Sequence, residues 1–137
     1  MRGLKQFTES PADAAEFVRE FFAQIDIAYQ AGRSIEAGAP VDPACASCRN
    51  FLGVTTKLAR EGSRFNGPSF TNVTSESPPV EKGEAAVAFS ADLPPRSKVD
   101  ATGAIVKAYP NEGRLRMTVI VQYRSSGWVV RAMRVLK

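Results

Sequence analysis

The sequence predicts an α+β domain in which N-terminal helices pack on a curved antiparallel sheet. Two segments with apolar residues three and four positions apart come first, and from Ser63 onward the apolar spacing changes toward two. Short turns separate the later segments, as is typical of neighbouring antiparallel strands. Helices followed by a run of strands favour a layered fold with the helices on one face of the sheet.

The composition is that of one folded domain. The chain has 137 residues, of which 44% are hydrophobic and 23% charged. We expect a flexible N-terminus over residues 1–9 and a single domain over residues 10–137. The net charge is +4 and the 18 basic residues are spread along the chain, so the pattern does not predict a nucleic acid partner.

The first helix has clear start and stop signals. Ser10, Pro11 and Asp13 provide a cap, a favourable first-turn residue and an acidic residue in the first turn, and Gly32 marks the end. One face of this helix is apolar and rich in aromatic residues. A face of this kind needs a broad surface to pack against, and a concave sheet provides one. The residues expected on this buried face are Ala14, Phe17, Val18, Phe21, Phe22, Ile25, Ala28 and Tyr29.

The second helix is predicted over Asp42 to Gly62, with Asp42 as its cap and Pro43 in its first turn. It carries the only two cysteines, Cys45 and Cys48, on its buried stripe or at the edge of it.

The strands follow from alternation of apolar and polar residues. Gly103 is expected to form a bulge in the third strand, and residues 125–127 suit a hairpin between the last two. In the last strand Met133 is predicted to face away from Trp128. The predicted strands are Phe65–Thr74, Glu84–Leu93, Val99–Tyr109, Arg114–Tyr123 and Trp128–Leu136.

The opening helix AAEFVREFFAQIDIAYQAGR and the closing hairpin MTVIVQYRSSGWVVRAMRV resemble the nuclear transport factor 2-like, or cystatin-like, superfamily. The resemblance covers nearly the whole chain and implies a cone-shaped sheet wrapped around the long first helix. It also implies a homodimer through the outer sheet face, which would use Ile120, Val129 and Met133.

A narrower resemblance rests on Asp42, Pro43, Cys45, Cys48 and Phe51 in the stretch DPACASCRNF. This stretch, after a helix ending AYQAGR, is similar to an uncharacterised family of actinobacterial secreted lipoproteins with a Cys-x-x-Cys helix. It implies an extracytoplasmic protein of the cell envelope. Any membrane attachment would be through an anchor that has been removed from this sequence. Read literally, the chain lacks the apolar core of a signal peptide and is cytoplasmic.

Three roles compete for Cys45 and Cys48. Zinc would need about four ligands, and the chain has no histidine and no further cysteine. Thiol exchange would suit a helix start near Arg49, but such motifs follow a strand and none is predicted before Asp42. A structural disulfide, which is favoured over buried free thiols and over redox activity, must tighten or unwind the first turn, because helical Cβ atoms three apart lie about 5–6 Å apart.

The absence of histidine excludes Ser-His-Asp and Cys-His catalysis. No Gly-rich phosphate loop follows a strand, so a nucleotide is not expected. No other cofactor is predicted from the sequence. The superfamily resemblance implies one enzymatic alternative, an isomerase or dehydratase that would use Asp26 as its acid or base. Against it, Ile25 stands where a ketosteroid isomerase would place its tyrosine.

The preferred hypothesis is a non-catalytic binding or interaction domain for a small apolar or acidic ligand or a protein partner. If side chains do not fill the cone, its interior forms an apolar pocket; a filled cone that dimerises through its sheet is the competing hypothesis. Arg116 or Arg134 would meet an acidic ligand. The expected pocket residues are Phe22, Asp26, Tyr29, Met117, Val119, Val121 and Trp128.

Overall fold

The computed structural model describes residues 7–136, which form two helices and seven strands and confirm the α+β fold class. Between residues 7 and 136, neither helix has the combination of length and apolar character needed to cross a lipid bilayer. In chain order the elements are α1 (Pro11–Ala31), α2 (Ala46–Glu61), β1 (Arg64–Phe65), β2 (Thr71–Glu76), β3 (Glu84–Leu93), β4 (Arg96–Val99), β5 (Ile105–Tyr109), β6 (Gly113–Arg124) and β7 (Gly127–Val135).

The predicted flexible N-terminus lies mostly outside the described residues, which exclude residues 1–6. Phe7 packs edge-on against Phe17 with ring centroids 6.0 Å apart. The Thr8 carbonyl oxygen accepts a hydrogen bond of 2.8 Å from the indole N–H of Trp128. The chain is therefore already in contact with the core two residues before the cap of α1.

Helix α1 begins and ends as predicted. The Ser10 hydroxyl oxygen accepts a hydrogen bond of 3.1 Å from the Asp13 backbone N–H, and Gly32 ends the helix in the left-handed conformation with φ 64°. All eight residues of the predicted apolar face are buried. This face packs against strands β2 and β3 of the four-stranded sheet.

Helix α2 begins at Ala46 and not at Asp42 as predicted. The Asp42 carboxylate accepts a hydrogen bond of 2.9 Å from the Ala44 N–H, and the Asp42 carbonyl accepts one of 2.9 Å from Cys45 N–H. These bonds form a separate turn, and Cys45 caps the helix with extended backbone angles. The disulfide between Cys45 and Cys48 closes across this boundary, so the first predicted turn is unwound, as a bridge at this spacing requires.

The strands form two antiparallel sheets in the part of the chain from residue 7 to residue 136. One has the order β2-β3-β6-β7 and the other the order β1-β4-β5. Strand β3 has the predicted bounds and pairs with β6 along its whole length, from Glu84 opposite Gln122 to Leu93 opposite Gly113. The chain passes between the sheets at Pro94-Pro95, because proline cannot donate to a ladder.

Two predicted strands are split in the structure. The stretch Val99–Tyr109 is the end of β4, a turn and β5, because the Asp100 carboxylate accepts hydrogen bonds from the Thr102 and Ala104 backbone N–H groups at 2.9 and 3.1 Å. Gly103, with φ 88°, lies in this turn and not in a bulge. The stretch Phe65–Thr74 is divided between β1 and β2, which belong to different sheets.

A bulge at Arg131 changes which residues of β7 face the core. Val121 lies opposite Val130, whereas Val119 lies opposite Met133, so the register shifts by one residue between the pairs. Met133 therefore lies on the core face, where it packs against the buried cluster, and the prediction that it faces outward is wrong.

Candidate functional site

Four of the predicted pocket residues, Phe22, Met117, Val119 and Val121, lie in the packed core of the fold. The ring of Phe22 stacks on Phe89 with centroids 4.2 Å apart, and Met117, Val119 and Val121 on β6 are at most 1% exposed. These four side chains belong to one buried cluster and are shielded from solvent. The interior is therefore filled at these positions.

Arg116 and Arg134 lie on the other face of the sheet. In the sheet, Arg116 lies opposite Ser90 and Arg134 lies opposite Thr118. Ser90, Arg116 and Thr118 alternate with the buried residues of β3 and β6, and Arg134 lies on the same face as these three residues. Both arginines are exposed. Neither can meet a ligand inside the fold, so this part of the prediction is wrong.

A cleft of about 800 Å³ lies along one side of α1. Its walls are α1, the segment 33–40 and the turn between β6 and β7. Of the predicted pocket residues, Trp128 lines this cleft. Its other aromatic lining residues are Phe7, Phe17, Phe21 and Tyr123.

The polar groups of the cleft lie on α1 and at its rim. The Gln24 amide donates a hydrogen bond of 3.1 Å to the Glu20 carboxylate, and both residues line the cleft. Arg33 is exposed, and its guanidinium forms no ion pair with any of the residues from 7 to 136. The cleft thus combines an aromatic floor and the Glu20 carboxylate, which is bonded to Gln24, with a rim that carries the positive charge of Arg33.

The segment 33–40 is fixed at both ends by backbone hydrogen bonds. The Arg33 N–H donates to the Ala28 carbonyl at 3.1 Å, and the Val130 N–H donates to the Pro40 carbonyl at 2.9 Å. Val41 forms a one-residue parallel bridge with Val130. This segment is therefore a wall of the cleft that is attached to α1 at one end and to β7 at the other.

Asp26 lies outside this cleft. Its carboxylate accepts a hydrogen bond of 2.9 Å from the Ser69 backbone N–H and one of 3.3 Å from the Gln30 amide. Asp26 thus holds the loop before β2 against α1, and a role for it as acid or base stays a prediction.

Tyr29 is buried at the C-terminal end of α1, where its hydroxyl donates a hydrogen bond of 3.2 Å to the Phe51 carbonyl. Burial raises the pKa of Tyr29 far above its ordinary value; nearby Arg96 lowers the pKa in part and Asp26 raises it. The phenol is accordingly a neutral hydrogen-bond donor at any ordinary pH.

Cys45 and Cys48 form a disulfide with Cα atoms 5.3 Å apart, as favoured from the sequence. The residues are 3% and 0% exposed. The one-residue bridge at Val41 precedes them, but the strands of the adjacent sheet are antiparallel. Because both sulfurs are shielded and no parallel strand–helix–strand unit surrounds them in residues 7–136, the bond has the setting of a structural disulfide.

The sequence matches no protein-family model and no curated protein. The fold is similar to the crystal structure of the intermembrane space region of the chloroplast protein ARC6, with a TM-score of 0.59 and 14% identity over 92% of this chain and 95% of that chain. Aln2 from a Streptomyces species matches with a TM-score of 0.43 and 15% identity over 88% of this chain and 87% of that chain. At this identity the ARC6 likeness shows the α+β fold alone. The nuclear transport factor 2-like and lipoprotein resemblances stay predictions.

Proposed function

We propose that this protein is a non-catalytic binding domain that acts outside the cytoplasm and holds a small apolar acid in the cleft between α1, the segment 33–40 and the β6–β7 turn. The observation that carries the proposal is the cleft itself. Its volume of about 800 Å³ is in the range of small-molecule sites, and such sites combine apolar walls with a few polar groups.

The ligand class follows from the side chains that line the cleft. Phe17, Phe21 and Trp128 offer aromatic surface to an apolar body. Arg33 offers a guanidinium with no ion-pair partner between residues 7 and 136, and such a group suits a carboxylate or sulfonate. The cleft therefore favours a molecule with an aromatic or aliphatic body and one acidic group.

The compartment is supported by the Cys45–Cys48 disulfide, because disulfides persist mainly in oxidising environments. Membrane attachment through a removed anchor belongs to the same proposal. Fractionation of cells that make the protein from its natural precursor tests both parts. Recovery in the cytoplasm with free thiols would contradict them.

Trp128 makes ligand binding directly measurable because it is the only tryptophan in the chain. We expect anilinonaphthalene sulfonate, an apolar aromatic acid, to bind saturably and to receive energy transfer from Trp128. Ala37→Phe should abolish the signal because Ala37 is an exposed residue of the cleft wall. Arg33→Gln should weaken binding by about ten-fold, as expected for the loss of a charged hydrogen bond.

Matched controls separate the cleft from general surface effects. Ala101→Phe places the same side chain at an exposed turn away from the cleft, and Arg116→Gln removes an exposed charge from the outer sheet face. Both should bind as the unmodified protein does. Equal binding by Ala37→Phe and Ala101→Phe would rule out the cleft as the site.

A further inference from the structure

A second, smaller pocket lies at the C-terminal end of α1 and shares no lining residue with the cleft. It has a volume of about 170 Å³. Tyr29, Phe70 and Leu115 form apolar parts of its wall, and Ser69, Arg96 and the Glu112 carboxylate contribute polar ones. Its size is suited to one compact apolar group with a polar head.

Two buried polar atoms on the residues that line this pocket lack a partner. Within the part of the chain from residue 7 to residue 136, neither the Ser69 hydroxyl oxygen nor the Arg96 Nε forms a hydrogen bond. Ser69 is 1% exposed and the Arg96 side chain 13%. Buried polar groups are nearly always paired with protein, water or ligand, so two unpaired ones beside the same pocket call for a partner from outside the chain.

The orientation of Arg96 is fixed by its neighbours. Its guanidinium lies over the rings of Phe65 and Tyr109, with the central carbon 4.6 and 5.2 Å from the ring centroids. Its Nη1 donates a hydrogen bond of 3.2 Å to the Glu112 carboxylate. These contacts engage the ring-facing surface and one terminal nitrogen, and they leave Nε–H as an oriented donor.

The unpaired donors define the chemistry of a group that would fit this pocket. Arg96 Nε–H can only donate, and the Ser69 hydroxyl can donate beside it. The edge of a guanidinium that includes Nε matches the two oxygens of a carboxylate. Glu112 does not use this edge, because its bond is to Nη1, and Tyr29 adds no charge because it is neutral.

We propose that this pocket binds the carboxylate of a small apolar acid, with Arg96 Nε–H and the Ser69 hydroxyl as donors and Tyr29, Phe70 and Leu115 around the apolar body. The site differs from the proposed cleft, so either proposal can fail alone.

Nuclear magnetic resonance titration of the full chain with acetate, butyrate and benzoate tests the proposal. The Arg96 Nε–H signal reports on the proposed bond itself. We expect a saturable shift of this signal, with benzoate binding most tightly because it fills the apolar part of the pocket. Benzyl alcohol, which has the same ring but no carboxylate, should bind at least about ten-fold more weakly, since bonds to charged groups are the stronger ones.

Ser69→Ala is the decisive variant, because it removes a hydroxyl that has no partner in the free protein. It should weaken benzoate binding by about ten-fold while leaving the melting temperature of the free protein unchanged or higher. Ser77→Ala, away from the pocket, is the matched control and should bind benzoate normally. The proposal is overturned if none of the three acids saturates the Arg96 signal, if benzyl alcohol binds as well as benzoate, or if Ser69→Ala binds as the unmodified protein does.

Discussion

Gly32 and Ser63 are in such close contact that a side chain at Gly32 has no room. A Cβ atom on Gly32 would lie 2.5 Å from the Ser63 carbonyl oxygen, whereas a Cβ on Gly62 would meet nothing within 4 Å. Both glycines end a helix with similar positive φ angles, 64° and 68°. The two positions therefore differ in steric contact and not in backbone conformation.

Gly32→Ala should be the more damaging of these two alanine substitutions. Gly62→Ala should lower the free energy of unfolding by about 1 kcal/mol through its φ angle alone. Gly32→Ala should cost about 3 kcal/mol, because the Ser63 backbone must also move. Urea denaturation of both variants measures the difference, and equal losses would show that the contact with Ser63 relaxes freely.

Phe22→Ala should destabilise the protein by about 3–5 kcal/mol, the usual cost of removing a fully packed aromatic ring. The ring is 1% exposed and contacts four other phenylalanine rings. Ile27→Ala on the same helix is the matched control, since Ile27 is 49% exposed, and should change stability by less than about 0.5 kcal/mol. Chemical denaturation measures both; a small loss for Phe22→Ala would mean that the interior is loosely packed.

Reduction of the Cys45–Cys48 disulfide should lower the free energy of unfolding by about 2 kcal/mol, according to the loop-closure relation for so short a loop. Denaturation with and without dithiothreitol measures this difference. The double variant Cys45→Ala, Cys48→Ala should unfold identically in both conditions, because it has no bond to lose. If reductant leaves the unmodified protein unchanged, the bridge makes no net contribution to stability.

The ion pair between Asp42 and Arg124, 2.9 Å long, should make stability depend on pH. The hydrogen bond from the Ala44 N–H and then the bond from Arg124 hold the pKa of Asp42 below its ordinary value. Because the folded pKa is the lower one, the contribution is complete above the unfolded pKa, near about 3.9, and is lost as the pH falls through the folded pKa.

Melting temperatures of the unmodified protein and of Asp42→Asn should therefore differ most near neutral pH and converge in acid. Arg124→Gln should show a smaller pH dependence than the unmodified protein, because the ion pair with Asp42 is lost. Part of the dependence should stay, because the hydrogen bond from the Ala44 N–H remains. A difference between Asp42→Asn and the unmodified protein that is constant with pH would show that the Asp42 charge does not stabilise the fold.

The elements with local signals were predictable from the sequence. Helix α1 has its cap at Ser10 and its stop at Gly32, and β3 alternates in burial along Glu84–Leu93. The division of Val99–Tyr109 by a turn could also have been predicted from the local sequence, because an aspartate three residues before a glycine is typical of a turn.

Other features depend on contacts between distant parts of the chain. The shift at Arg131 is set by pairing with β6, and it leaves no trace in the alternation of the strand itself. Ser69 and Arg96 reach one pocket from a loop and a strand in which neither follows a periodic pattern. The composition of residues 33–40, rich in glycine, alanine and proline, predicts a connection but not a cleft wall.

The attachment of the segment 33–40 at both ends has a consequence for how this fold can vary. Insertions between the exposed residues Ala37 and Gly38 would lengthen this connection while the backbone hydrogen bonds of Arg33, Ile35 and Pro40 stay in place. The size of the cleft could thus be tuned during divergence, or in the laboratory, by loop length at this point, while Ile35 and Ala39 stay packed against the core.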